Sequence, residues 1–352
     1  MFHQILTHYA LDPAQYLVQP FGSGLINHTW KVSAADGQDR YILQQINSAV
    51  FKHPYDIAQN IASLGSYLQQ HYPDYLFAGA LPTATGDYLY VNEQHEYYRL
   101  FPFIPQSHAV DRVLSPEQAF EAARQFARFT HLLSGFDTRL LKITIPQFHD
   151  LSFRYRQFTT ALTNGNPQRI QDAAALISFL QQQQHLVQTY EQIKKDPGFR
   201  LRVIHHDTKI SNVLFDDRQH GLCVIDLDTV MPGYFISDAG DMMRTYLSPV
   251  NEEEKNVQLI TIRDDFFAAI ACGYIEELQG ELTDTEKQHF VYAGQFMIYM
   301  QALRFLTDHL NNDVYYGARY EGHNFIRAQN QAMLLQQYNA KATLFNQIIS
   351  AI

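Results

Sequence analysis

The sequence predicts an α+β chain with a small β-rich N-terminal part and a larger, mostly helical C-terminal part. Three observations predict it. Short apolar runs alternate with Gly- and Asp-containing turns in the N-terminal third. After Ser115 the apolar spacing changes from period two to the helical period. An apolar strand, a polar loop and a hairpin lie together between Leu201 and Asp228, inside the helical part.

In the N-terminal part, Tyr16-Leu17-Val18 leads to a turn at Gly22-Ser23-Gly24. His28 to Val32 returns, Ala35-Asp36-Gly37 turns again, and Tyr41-Ile42-Leu43 forms the next strand. Gly22, Ser23 and Gly24 are candidate nucleotide contacts, since glycines let backbone N–H groups approach phosphates closely, although a G-x-G alone fits a plain hairpin turn equally well. Tyr55 to Leu68 reads as a helix. Tyr97 to Pro105 is an apolar extended run whose backbone is suited to an adenine edge, with Phe101 and Phe103 packing around the ring. This divides the chain into residues 1–104 and 105–352.

Helical signals dominate from there. Ser115-Pro116-Glu117-Gln118 is a capping-box start, Phe126, Phe129 and Leu133 share a face, and Gly135 ends the helix. A second helix is expected over Gln168 to Tyr190, its Gln181 to Gln184 run forming a solvated face. Thr283-Asp284-Thr285-Glu286 is another capping box, ahead of Phe290, Ala293, Met297 and Met300 at core spacing.

Composition excludes several classes. With 46% hydrophobic and 18% charged residues, the 352-residue chain is not disordered. A net charge of −10 argues against a nucleic-acid or anionic-membrane surface. No stretch approaches the roughly 18 apolar residues of a membrane span, and Met1 to Pro20 lacks the apolar core of a signal peptide. Cys223 and Cys272 read as packed thiols of a reducing, cytoplasmic compartment.

The segment VIHHDTKISNVLFDDRQHGLCVIDLD, Val203 to Asp228, carries the chemistry. Leu201 to Ile204 reads as a buried strand delivering His205-His206-Asp207 to a loop. Val213-Leu214-Phe215 and Leu222 to Ile225 read as a hairpin that brings Asn212 and Asp226 to one end. An amide and a carboxylate oxygen there suit Mg²⁺, with ATP phosphates and water completing the shell. Asp207, left outside that shell, can orient and deprotonate an acceptor hydroxyl attacking the terminal phosphate. The adjacent histidines also raise a zinc hydrolase, but no third ligand stands at zinc-like spacing.

This block, continuing through Thr245, resembles the superfamily of aminoglycoside and choline kinases. The chain is most similar to its N-acetylhexosamine 1-kinase branch. Further support comes from Phe21 to Thr29, Tyr41 to Asn47, Ile145 to Asp150, Leu303 to His309, Tyr315-Tyr316 and Glu321 to Asn324. The resemblance implies a bilobal, protein-kinase-like fold, with a nucleotide-binding lobe at 1–104 and a catalytic, substrate-binding lobe at 105–352. It implies transfer of the γ-phosphate of ATP to the anomeric hydroxyl of N-acetylglucosamine or N-acetylgalactosamine. Asp207 and Asp228 would contact sugar hydroxyls and Arg304 would complete the pocket, with His149, Tyr316 and His323 as further candidates. His205, Asp238 and Asp241 would support the catalytic loop, with Arg244 pairing one of the two acids.

Two departures stand out. Kinases carry a phosphate-pairing Lys on the third strand, where this chain has Gln44. Asn60 would then stand where a Glu pairs that Lys. The superfamily has a small residue where His206 sits. Gln44 keeps open a silent nucleotide- or sugar-binding pseudokinase, and composition keeps open a kinase of choline, homoserine or an aminoglycoside.

Overall fold

Alternating burial along the first strands builds an antiparallel sheet in the order β1-β2-β3-β5-β4. Its strands are β1 (Tyr16–Pro20), β2 (His28–Ala34), β3 (Asp39–Ile46), β4 (Tyr90–Val91) and β5 (Tyr97–Pro102). The computed structural model describes residues 2–22 and 26–352. Ser23 and Gly24 therefore lie outside the described residues. The expected turn at Ala35-Asp36-Gly37 closes with a Gly37 N–H to Ala34 O bond of 2.9 Å. Helix α1 (Phe2–His8), which no cap or long periodic run announced, adds Ile5 and Leu6 to a core of Val32, Leu43, Tyr98 and Leu100. Helix α2 (Pro54–His71) starts on Pro54 and buries Ile57, Ile61, Leu64 and Leu68, one turn apart.

The helical part begins at α3 (Pro116–Leu132). The Ser115 hydroxyl accepts from the Gln118 N–H at 3.3 Å, but the Gln118 side chain reaches past Ser115 to the Leu114 N–H at 2.9 Å. Helix α4 (Leu151–Asn164), capped by Asp150, went unread in the sequence. The single helix expected over Gln168 to Tyr190 is instead three: α5 (Pro167–Asp172), α6 (Ala174–Gln182) and α7 (His185–Ile193). The cause is phase. Leu180 and Leu186 would sit about 240° apart on one continuous helix, and the break at Gln183-Gln184 lets both be buried.

Strand β6 (Arg202–Ile204) follows, then a hairpin of β7 (Val213–Phe215) and β8 (Gly221–Val224). After β9 (Met231–Gly233) come α8 (Ile236–Tyr246), α9 (Asp264–Glu277), α10 (Asp284–Gln288), α11 (Phe290–Leu310), α12 (His323–Ala340) and α13 (Ala342–Ala351). The Thr283 capping box forms as expected, with Glu286 bonding back to the Thr283 N–H at 2.9 Å. Helix α11 is buried around its circumference against α4, α8 and α12. Gly240 makes the α8 crossing possible, since a Cβ there would lie 2.2 Å from the Ala293 carbonyl oxygen.

The α+β class is as expected. The chain forms two compact units, each assembled from separate stretches: residues 1–109, 132–146 and 212–232 in the first, and 110–131, 147–211 and 233–352 in the second.

Candidate active site

In the second unit, β6 is held from below by a buried ion pair, Arg202 to Glu286 at 2.6 Å. The chain then leaves the strand as a loop whose N–H groups need acceptors. Two buried carboxylates of α8 supply them. Asp238 accepts from the N–H of His205 at 3.0 Å and of His206 at 2.7 Å, and Asp241 accepts from the N–H of Thr208 at 3.0 Å. The Tyr246 hydroxyl donates to the Thr208 carbonyl at 2.6 Å. Burial pushes the Asp238 carboxyl up to about 7, against the lowering effect of those two N–H donors. Burial also raises Asp241, with Arg244, 3.0 Å away, acting the other way. Asp238 and Asp241, the acids expected to support this loop, both accept backbone N–H groups from it.

His205 is fully buried, edge-on to Phe126, and its Nδ1 accepts from the Asp207 N–H at 3.3 Å. His206 has φ +66°, a left-handed conformation that favours glycine. This explains why a small residue suits that position. Here the conformation is held by Asp238 and by a cradle at Gly233, where a Cβ would lie 2.6 Å from the His206 ring. Asp207 pairs with Lys209, 3.1 Å away. Burial would raise its carboxyl, but Lys209 and His205 outweigh that and hold it below the usual value. Lys209 was not singled out in the sequence, although its position two residues after Asp207 was there to be read.

Other predicted residues of this unit are His149 just before α4, Arg304 on α11, Tyr316 between α11 and α12, and His323 at the start of α12. His149 Nδ1 lies 3.3 Å from His206 Nδ1, and burial followed by His206 lowers its pKa. Arg304 packs over the rings of Phe148 at 5.5 Å, Tyr316 at 5.4 Å and Tyr315 at 6.0 Å. Tyr316 also accepts from the Gln301 side chain. His323 is turned to Glu253, at 3.6 Å, and so belongs to a neighbouring ion-pair group with Arg319.

In the first unit the expected hairpin forms, with Val213 opposite Val224, and the Ile225 N–H donates to the Asn212 carbonyl at 2.9 Å. Asn212 and Asp226 therefore stand at one end of the ribbon. Asp226 is exposed and adopts φ +60°. Two residues on, Asp228 is 1% exposed: its carboxylate lies 2.5 Å from Arg99 and accepts from the Asn27 side chain at 2.8 Å.

Arg99 was missed by sequence reasoning, and only the register reveals it. Gln44 on β3 faces Arg99 on β5, and its carbonyl oxygen accepts from Arg99 Nη2 at 2.8 Å and from Nε at 3.2 Å. The uncharged Gln44 thus has a cation beside it. Asn60 does not pair with Gln44; its amide is used by the backbone of Lys142 and Val230. Phe101 lies under the Arg99 guanidinium, and the Phe103 N–H donates to the Arg40 carbonyl. Gly22 has a positive φ, +78°.

One amide and one exposed carboxylate at the ribbon end form an oxygen donor set that fits a hard divalent ion. Among the described residues, no three His, Cys, Asp or Glu side chains gather into a metal-binding group.

A loop carboxylate braced by two buried acids and, a few residues on in the chain, a hairpin bearing an amide and a carboxylate are the parts of a phosphotransferase of the kinase type. Residues 17–262 match the phosphotransferase enzyme family, APH, and the chain belongs to it. Its kinase-like fold recurs in solved structures. An amicoumacin kinase in complex with AMP-PNP, Ca²⁺ and Ami is 15% identical, with 96% of this chain and 92% of that chain covered and a TM-score of 0.62. An aminoglycoside phosphotransferase from Alicyclobacillus acidocaldarius is 13% identical, covering 96% and 95%, at a TM-score of 0.63. A Plasmodium vivax ethanolamine kinase is 14% identical, covering 96% and 89%, at 0.59. Among the described residues no helix is long and apolar enough to cross a membrane.

Proposed function

We propose that this phosphotransferase moves the γ-phosphate of ATP to the anomeric hydroxyl of an N-acetylhexosamine, N-acetylglucosamine or N-acetylgalactosamine, as a cytoplasmic enzyme of carbohydrate metabolism. The observation that carries it is the bracing of Asp207. Both neighbours of that residue donate their N–H groups to buried carboxylates, so the base is aimed by its backbone. Asp207 accepts the proton of the attacking hydroxyl, and Lys209 keeps it ionised until then.

Asn212 and Asp226 would hold Mg²⁺, which when bound neutralises phosphate charge. Gly22, Ser23, Gly24, Gln44, Phe101 and Phe103 would line the nucleotide, so that 1–104 serves the donor and 105–352 the acceptor and the chemistry. Asp228, Arg304, His149, Tyr316 and His323 are proposed acceptor contacts. Asp228 is the most constrained of these, since Arg99 and Asn27 already engage its two oxygens.

The test is NMR of the product formed from ATP and N-acetylglucosamine. A phosphorus signal coupled to the anomeric proton is expected. Phosphate on another oxygen, or turnover only with choline or homoserine, would replace this reading with a kinase of another alcohol. Binding of nucleotide and sugar without transfer would indicate the pseudokinase.

A further inference from the structure

The charges around Arg304 are unevenly matched. Nearby carboxylates are committed: Glu252 to Arg244 at 2.6 Å and to Arg327, Asp308 to the N–H groups of Tyr315 and Tyr316 at 2.7 and 2.9 Å, and Asp150 to the N-terminus of α4. Among the described residues, neither Arg304 nor Arg154 has a carboxylate within ion-pair distance. Arg304 donates only to Gln301, and Arg154 only to Gln157 and the Phe148 carbonyl. The Nε of each is buried without a hydrogen-bond partner. Burial first, and Arg304 second, lower the Arg154 guanidinium to about 10, with Tyr315, Tyr316 and Asp150 acting the other way. The cluster runs toward the base through rings: Arg304 lies over Phe148, Phe148 stacks on His149 at 4.3 Å and meets His206 edge-on, and His206 precedes Asp207.

We propose that Arg304, reinforced by the field of Arg154, selects acceptors without positive charge and receives a carbonyl or carboxylate oxygen of the acceptor. This rests on the phosphotransferase reading and narrows its substrate class. A half-buried guanidinium with its Nε unpartnered favours an acceptor-only oxygen such as an amide carbonyl. The same charge repels a substrate ammonium, since juxtaposed like charges suppress binding of the wrong partner. An ammonium acceptor would need an acidic or aromatic cage, and here the rings are already covered by arginine.

Initial rates with N-acetylglucosamine, glucuronate, protonated glucosamine, ethanolamine, choline and kanamycin would test this. N-acetylglucosamine or glucuronate is expected to exceed every cationic acceptor by about 100-fold in kcat/KM. Which of the two is better identifies the oxygen. Arg304→Glu should shrink the ratio of N-acetylglucosamine to glucosamine to under about 10-fold, mainly through KM. Arg154→Gln should move it in the same direction by about 3- to 10-fold, with thermal melts identifying any unfolded variant. Titration calorimetry of Asp207→Asn with the same compounds separates binding from chemistry.

A cationic acceptor used or bound as well as the neutral ones, a ratio unmoved in folded Arg304→Glu, or no binding of any neutral or anionic compound would overturn the proposal. Phosphorylation of a different acceptor that carries no positive charge and bears a carbonyl or carboxylate oxygen would end the N-acetylhexosamine reading while leaving this one standing. An N-acetylhexosamine kinase whose ratio ignores Arg304 would do the reverse.

Discussion

The loop at 205–208 and the turn at 226–228 each carry a non-glycine residue with positive φ, His206 at +66° and Asp226 at +60°, yet they are held by opposite charges. The loop hangs from two buried carboxylates that accept backbone N–H groups. The turn is fixed by a buried guanidinium that grips a side chain, Arg99 on Asp228. Acceptors of backbone bonds fix a path whatever the loop residues are. A side-chain ion pair fixes one residue and fails when either partner changes.

The largest effect expected is at the residue the loop presents. Asp207→Asn should lower kcat by about 10³- to 10⁴-fold, with the circular dichroism and melting temperature retained; a variant within about tenfold of wild type would remove Asp207 from the chemistry.

Next comes the turn. Arg99→Met leaves the Asp228 carboxylate buried without its cation, and urea unfolding should record a loss of about 3–5 kcal/mol. Arg99→Met with Asp228→Leu should recover at least half of that. If the single variant lost under about 1 kcal/mol, the two regions would not differ as argued.

Third is Asp238, whose carboxyl sits at about 7 in the folded protein against an ordinary 3.8. Between these values the folded protein holds a proton that the unfolded chain has released. This group's contribution to stability therefore falls as pH rises through that window. Asp238→Asn should cost about 1–3 kcal/mol by leaving an N–H unmet. It should also make the falling slope of unfolding stability between about pH 4 and 7 shallower, Asp241 keeping its own share; an unchanged slope would place the proton elsewhere.

The smallest effect is at Lys209. Lys209→Met should lower kcat about tenfold and move the acid limb of the pH–rate profile upward, because burial of Asp207 is then less opposed. A profile that keeps its acid limb would mean Lys209 does not tune the base.

These two regions also differed in how far the sequence disclosed them. The loop was readable because its parts are close in sequence: His205, Asp207 and Asn212 lie within eight residues, and Asp238 and Asp241 follow on the next helix. The ribbon of β7 and β8 was readable from its turn. Arg99 was not, because its meaning lies in a cross-strand register that sets it against Gln44, 55 residues away. Helix α4 and the breaks between α5, α6 and α7 were missed for a related reason. Their boundaries follow from which apolar residues find a core, and the glutamine run carries no such signal. The charge imbalance at Arg304 likewise needed the commitments of its neighbours, which spacing does not reveal.

The first unit draws on three stretches of chain, the last of them residues 212–232. During synthesis its sheet can pair early, but Asp228 emerges long after Arg99 has been made. Until then a guanidinium destined for a dry interior has no counter-ion, and the nascent sheet is a natural client for chaperones. A truncated gene ending at residue 104 would freeze that state, so a well-behaved fragment of this unit for biophysical work should carry the β7–β8 ribbon and the 226–232 segment grafted behind it.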